Sequence, residues 1–222
     1  MRTERIDEVL RHCHGLVLDL GCAGQADRRS ALDSTYWLHG RIIERFPDAW
    51  GLEYSTQNAD ELLLQGMRNI RIGDAQNFDL EERFDTVVAG EIIEHLPNPG
   101  GMLTSAARHL KPGGRIIVTT PYVFSGAFTA YAWLKFPKTC SNTDHTMWYC
   151  PSTMSVLAGK CGLAVASYAL VDDRRPDLPS RWARAYSRSQ RLSGRLPLKC
   201  RASNMVHVLV PEIGQAVAGE PQ

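Results

Sequence analysis

The stretch VLDLGCAGQ, Val17 to Gln25, decides the fold. An apolar run ends around a carboxylate, Asp19, and then falls into Gly21, Cys22, Ala23 and Gly24. A short apolar run closed by a turn marks a buried strand. The bend behind it has almost no side chains, so its backbone can come very close to a ligand. Plain strand-to-helix packing would produce a similar bend, so the ligand has to be read from the strands that follow.

Outward from this stretch, strand and helix alternate. A short helix precedes it, with Ile6, Val9 and Leu10 at helical spacing. YWLHGRIIERF (36–46) reads as a helix, AWGLEYS (49–55) as a second strand, and TQNADELLLQG as a helix stopped at Gly66. RNIRIGDA is a third strand, FDTVVAGE (84–91) a fourth, and NPGGMLTSAARHLKPGG a helix followed by Pro-Gly punctuation. RIIVTTP (115–121) is a fifth strand, PSTMSVLAGKCGL a helix, and AVASYALV and NMVHVLV two more strands. This order predicts an α/β fold of Rossmann-like type: a seven-stranded, mostly parallel sheet with helices on both faces. Such sheets bind ligands beyond the carboxyl ends of their strands. The residues to watch therefore stand just after each strand.

The 222 residues fit a single domain, 1–222. A net charge of +1 gives no global field toward nucleic acid or a membrane surface. There is neither a long apolar run nor a leader-like start, so a cytoplasmic protein without a membrane span is expected. Six cysteines show no C-x-x-C pair and no zinc-like spacing, and are expected to be reduced packing residues.

Glu53 closes the second strand, where an acid can accept from both hydroxyls of a ribose. Asp74 closes the third, placed for an adenine amino group. Loop, ribose acid and adenine acid together point to an adenosine-containing cofactor. GCAGQ is not G-x-G-x-x-G, which disfavours a dinucleotide.

With VLDLGCAG, GLEYS, GDAQNFDL, FDTVVAGEIIEHLPNPGGML, LKPGGRIIVTTP and DHTMWYCPSTMSVLAGKCGL in this order, the chain resembles the class I S-adenosylmethionine-dependent methyltransferases. It is most similar to a small bacterial branch, sugar- or polysaccharide-associated and ubiquinone-type O-methyltransferases. The resemblance implies that S-adenosylmethionine is the cofactor. Asp19 and Gly21 would line its methionine end, with Cys22 and Ala23 in the same loop. Glu53, followed by Tyr54, would take the ribose; Asp74 with the Ala75 amide would hold adenine; Gly90 would meet the cofactor through its backbone. The family usually carries glycine where Ala23 and Gln25 stand; alanine is a small change, and Gln25 would narrow the space near the methionine tail.

A hydroxyl acceptor must also lose a proton. In GEIIEHLP, a helical turn after the fourth strand would set Glu91, Glu94 and His95 on one face. Far along the chain TDHTMWY supplies His145 among aromatics. His95 and His145 are the candidate catalytic bases, since imidazole titrates near neutral pH; packing or capping is their other reading. Glu91, Glu94, His95 and His145 could also ligate one divalent metal, which would acidify a bound hydroxyl. That pattern is similar to the metal site of small-RNA 3′-end 2′-O-methyltransferases.

Two segments lie outside this frame. Residues 122–149 are aromatic and follow the fifth strand, an expected cover for the acceptor, with an extra packing helix as the alternative. Within the insertion 172–203, residues 174–201 hold nine basic residues (Arg174, Arg175, Arg181, Arg184, Arg188, Arg191, Arg195, Lys199, Arg201) against Asp177 alone. It reads as a solvated face or as a clamp for a phosphate-bearing acceptor. The expected activity is methyl transfer to a hydroxyl of a small-molecule or glycan-type acceptor. An RNA 2′-O-methyltransferase and a non-catalytic cofactor-binding subunit are the alternatives. The aromatic cover and near-neutral charge argue against a stable nucleic-acid partner.

Overall fold

The computed structural model describes residues 5–24, 37–125, 144–171 and 202–212. Gln25, residues 126–143 of the aromatic segment, the nine-cation run, Cys140 and Cys200 lie outside the described residues. The helices are α1 (Arg5–His12), α2 (Leu38–Arg45), α3 (Thr56–Leu64), α4 (Pro99–Arg108) and α5 (Pro151–Lys160). The strands are β1 (Val17–Leu20), β2 (Trp50–Glu53), β3 (Ile70–Ile72), β4 (Phe84–Gly90), β5 (Leu110–Pro121), β6 (Leu163–Val171) and β7 (Asn204–Pro211).

They form one seven-stranded sheet in the order β3-β2-β1-β4-β5-β7-β6. The five strands β1 to β5 are mutually parallel, and β7 runs antiparallel between β5 and β6. β1 sits near the middle and every one of its residues is buried, as expected of a strand covered on both faces. β5 begins earlier than RIIVTTP suggested, because Leu110 already pairs with Phe84.

Local chemistry sets the helix starts. The Ser55 hydroxyl accepts the Asn58 N–H at 3.3 Å, and the Asn98 side chain accepts the Gly101 N–H at 2.9 Å. Pro99 and Pro151 open α4 and α5, where a missing N–H costs nothing.

Side chains alternate across β1. Leu18 and Leu20 join the core shared with Phe84, Met102, Ile116 and Met154 beneath α4 and α5. Val17 joins the opposite core, with Val9, Ile42, Val88 and Val206 beneath α1 and α2. By the two-residue period, Asp19 lies on this second face. No described helix is long and apolar enough to cross a membrane.

Candidate functional site

After β1 the chain bends through Gly21 at φ +72° and Gly24 at φ +57°, a region that glycine enters without steric penalty. A side chain on Gly21 would crowd Ile92, 3.1 Å from a Cβ placed there. The Gly21 and Cys22 N–H groups donate to the Leu52 carbonyl, at 2.8 and 3.3 Å, which fastens the bend to β2. The Ala23 N–H donates to Glu53 Oε2 at 3.1 Å, and the Ser55 N–H donates to Glu53 Oε1 at 3.1 Å. Glu53 is buried, and each carboxylate oxygen keeps a second acceptor direction. Two vicinal hydroxyls are the partners that such a pair fits. Tyr54, beside it, is exposed.

The Gly73 N–H donates to the Glu53 carbonyl at 3.0 Å, so the ends of β2 and β3 move together. Asp74 Oδ1 accepts the Gln76 N–H at 2.9 Å, and the Gln76 amide lies 3.1 and 3.2 Å from the two carboxylate oxygens. Asp74 retains acceptor capacity beyond these bonds. Ala75 is buried behind it. The residues expected around adenosine are thus all at one edge, with a donor and acceptor set that suits it.

Asp19 is buried against a residue that the sequence pattern did not single out. His39 Nδ1, from α2, lies 3.1 Å from Asp19 Oδ2. Burial pushes the Asp19 carboxyl up from the usual range, and the His39 hydrogen bond opposes that shift. The neighbouring Trp37 Nε1 donates to the Cys22 carbonyl at 2.9 Å. Leu38 covers Gly90, whose missing side chain makes room for it. Gly90 therefore packs against α2 on this face. The tripeptide WLH was the available signal, but periodicity alone reads it as helix.

The expected helical turn beyond β4 does not form as one face. Glu91 takes φ +54°, in the left-handed region, and a short 3₁₀ turn covers only Ile93–His95. Glu91 is consequently engaged by the neighbouring strands. Its Oε1 accepts the Thr119 hydroxyl at 3.0 Å, and its Oε2 accepts the Asn204 amide at 2.9 Å. Of the four residues expected around one ion, the structure brings three together. Ligand atoms of Glu94, His95 and His145 all lie within 4.8 Å of one another, and Glu91 is not among them.

This trio crosses the chain. The Glu94 carbonyl accepts the Thr146 N–H at 2.8 Å and the Met147 N–H at 3.3 Å, which docks the DHTMWY segment. The rings of His95 and His145 stand edge to face, 4.7 Å between centroids, and Trp148 flanks His145 at 5.3 Å. Glu94 Oε2 and His145 Nδ1 are buried without a hydrogen-bond partner. Burial, aided by the Glu91 charge, pushes Glu94 up to about 8. Burial and the neighbouring His95 push His145 down. Three ligand groups this close, two of them with a buried unpartnered atom, suit a divalent cation bound by one carboxylate and two imidazoles, with open positions left over.

Comparison with known proteins identifies the family. A family model described as "Methyltransferase domain" matches residues 7–168. The chain is 25% identical over 168 residues to the ubiquinone biosynthesis O-methyltransferase of Dechloromonas aromatica, covering 70% of this chain and 67% of that one. It is 27% identical over 157 residues to the protein of the same name from Coxiella burnetii (strain Dugway 5J108-111), covering 66% and 62%. It thus spans about two thirds of the length of these curated relatives. Among solved structures, the glycopeptide N-methyltransferase MtfA in complex with S-adenosylmethionine superposes with a TM-score of 0.61. That match has 16% identity and covers 93% of this chain and 86% of that one, a likeness of fold. The chain belongs to the methyltransferase-domain family, as a class I S-adenosylmethionine-dependent methyltransferase.

Proposed function

We propose that this protein transfers the methyl group of S-adenosylmethionine to a hydroxyl of a small acceptor, with His95 and His145 as the groups that position and deprotonate it. The observation that carries this reading is the pair of imidazoles, 4.7 Å apart, beside the strand ends that would hold the cofactor. Bound S-adenosylmethionine supplies an electrophilic methyl on a sulfonium leaving group. The chain's own residues then have three tasks. Asp19, Gly21, Cys22, Ala23, Glu53, Tyr54, Asp74, Ala75 and Gly90 form the edge that holds and orients the cofactor. His95 or His145 accepts the hydroxyl proton; a neutral imidazole is suited to this, and burial with the neighbouring His95 favours the neutral form of His145. Trp148 flanks His145 and shields that side of the pair. Holding nucleophile and methyl in line is worth ~7–11 kcal/mol by itself.

Oxygen as the methylated atom is supported by the relatives named for O-methylation in ubiquinone biosynthesis. A sugar-containing or phosphorylated acceptor is suggested by the nine-cation run. The test is turnover with a panel of phenolic, catecholic and sugar hydroxyls, with S-adenosylhomocysteine release as the readout. Turnover of an amine panel alone would overturn the hydroxyl assignment.

A second reading is favoured by the orphaned atoms. Glu94, His95 and His145 would hold one divalent cation that acidifies the acceptor hydroxyl. Chelation then abolishes turnover and added Mg²⁺ or Mn²⁺ restores it; under the general-base reading chelation changes nothing.

A further inference from the structure

Glu91 is one of two residues other than glycine with positive φ among the described residues, and it stands where β4 ends at the site. Residues with side chains rarely adopt this conformation, and when they do the surroundings hold them there. The holding groups come from two other strands. The Glu91 N–H points to both the carbonyl and the hydroxyl of Thr119, each at 3.1 Å. The Thr119 hydroxyl donates back to Glu91 Oε1 at 3.0 Å and accepts from Arg5 Nη1 at 3.3 Å. That uses its single donor and both acceptor directions. The Asn204 amide donates to the other carboxylate oxygen, Oε2, at 2.9 Å. Thr119 opposes Gly90 in the β4–β5 register, and Asn204 opposes Pro121 in the β5–β7 register. The carboxylate thus straps three adjacent strands together at the edge where the Ile93–His95 turn begins.

We propose that Asn204, with Thr119, is a positioning residue for the acceptor side of the site: through Glu91 it sets the chain reversal that aims Glu94 and His95 at His145. This rests on the methyl-transfer reading above. Packing alone does not call for the arrangement. A glycine would make the same turn without strain, and an apolar residue at 204 would fill its buried place without an amide to satisfy. The carboxylate–amide pair adds a fixed direction to the turn, because a charged acceptor held from two sides leaves little freedom.

The test uses the full chain with Asn204→Leu, Asn204→Asp, Glu91→Gln and the double variant Glu91→Gln/Asn204→Asp. In the double variant donor and acceptor exchange places, so the bridge re-forms with opposite polarity. Three quantities are read: S-adenosylhomocysteine affinity by calorimetry, the ring ¹H–¹⁵N signals of His95 and His145 at constant pH, and the melting temperature. Single variants are expected to keep the cofactor-product affinity within threefold while displacing both ring signals. The exchange variant is expected to return those signals toward wild type. Unmoved ring signals in folded Asn204→Leu or Asn204→Asp overturn the inference, as does an exchange variant that folds and stays displaced. If Asn204→Leu fails to fold, the Asp and exchange variants decide alone. Absence of S-adenosylhomocysteine binding in the wild type would instead sink the methyl-transfer reading, and the ring signals would still report on Asn204.

Discussion

Two halves of one sheet edge differ in how they are built. On the β1–β2–β3 half, the candidate cofactor groups are carried within short pieces of chain and fixed largely by main-chain N–H groups: Ala23 and Ser55 on Glu53, Gln76 on Asp74, Gly73 on the Glu53 carbonyl. On the β4–β5–β7 half, the candidate acceptor groups are fixed by remote segments, with side chains taking a larger part: Thr119 and Asn204 on the Glu91 carboxylate, the Thr146 N–H and hydroxyl on the Glu94 carbonyl, the His145 ring against His95. Main-chain donors cannot be changed by substitution and suit a ligand that is always the same. Side-chain bridges can be altered one at a time, which suits the half that must match a particular acceptor.

The comparison is broken most directly by His95→Gln/His145→Gln. Turnover is expected to fall roughly 10²–10⁴-fold, the usual weight of acid–base catalysis. S-adenosylhomocysteine affinity in calorimetry should stay within threefold. A parallel loss of affinity would mean that the two halves are not separable.

Next in size is Glu53→Ala on the other half. Losing two hydrogen bonds to a carboxylate should weaken S-adenosylhomocysteine by about 2–4 kcal/mol. The ring signals of His95 and His145 should be nearly unmoved. The Ala23 and Ser55 N–H groups lose their acceptor as well, so the melting temperature should also drop.

A smaller effect lies inside β7, within the sheet and not among the site groups at its edge. His207 is fully buried, neither ring nitrogen has a partner among the described residues, and its ring stands 6.0 Å from that of Tyr168. Burial pushes it down to about 4 from an ordinary 6.5. The unfolded chain therefore binds the extra proton first, and stability falls as pH drops from 6.5 toward 4, then levels off. The span corresponds to roughly 3 kcal/mol at ~1.36 kcal/mol per pH unit. Urea unfolding at pH 7 and pH 4.5 should show a smaller loss in His207→Leu than in wild type. An equal loss would assign the acid sensitivity elsewhere.

The smallest expected effect concerns the basic run. The described chain leaves the sheet at Val171 and returns at Ala202, and the Ser203 N–H donates to the Val171 carbonyl at 3.0 Å. Both anchors are at the end of the sheet that carries Glu91, since Asn204 bonds to it. Replacing Arg181, Arg184 and Arg188 together should raise KM severalfold for phosphate-bearing acceptors at low salt. The effect should shrink toward none above physiological ionic strength, where exposed charges are screened. No change at low salt would leave the run a solvated face.

The sequence by itself determined the strand order along the chain, the mostly parallel sheet and the placing of Glu53 and Asp74 at strand ends on one edge. The reason is locality. Apolar runs with turns behind them, at Val17–Gly24, Trp50–Ser55 and Ile70–Asp74, place their chemistry within a few residues of the strand that carries it. The two-residue period even puts Asp19 and Gly90 on the α2 face. It could not say that His39 and Leu38 would meet them, because a helix's rotation is set by the core that it packs against. Only the tertiary structure decided the acceptor half. Spacing in GEIIEHLP assumed a continuous helical turn, and the left-handed Glu91 broke that assumption. The groups that hold Glu91 there, Thr119 and Asn204, are 28 and 113 residues away. β7 is antiparallel, so the start of the last strand, and with it Asn204, comes to the edge where the other strands end. Such a meeting depends on loop closure and strand pairing across the whole chain, and no local pattern encodes it.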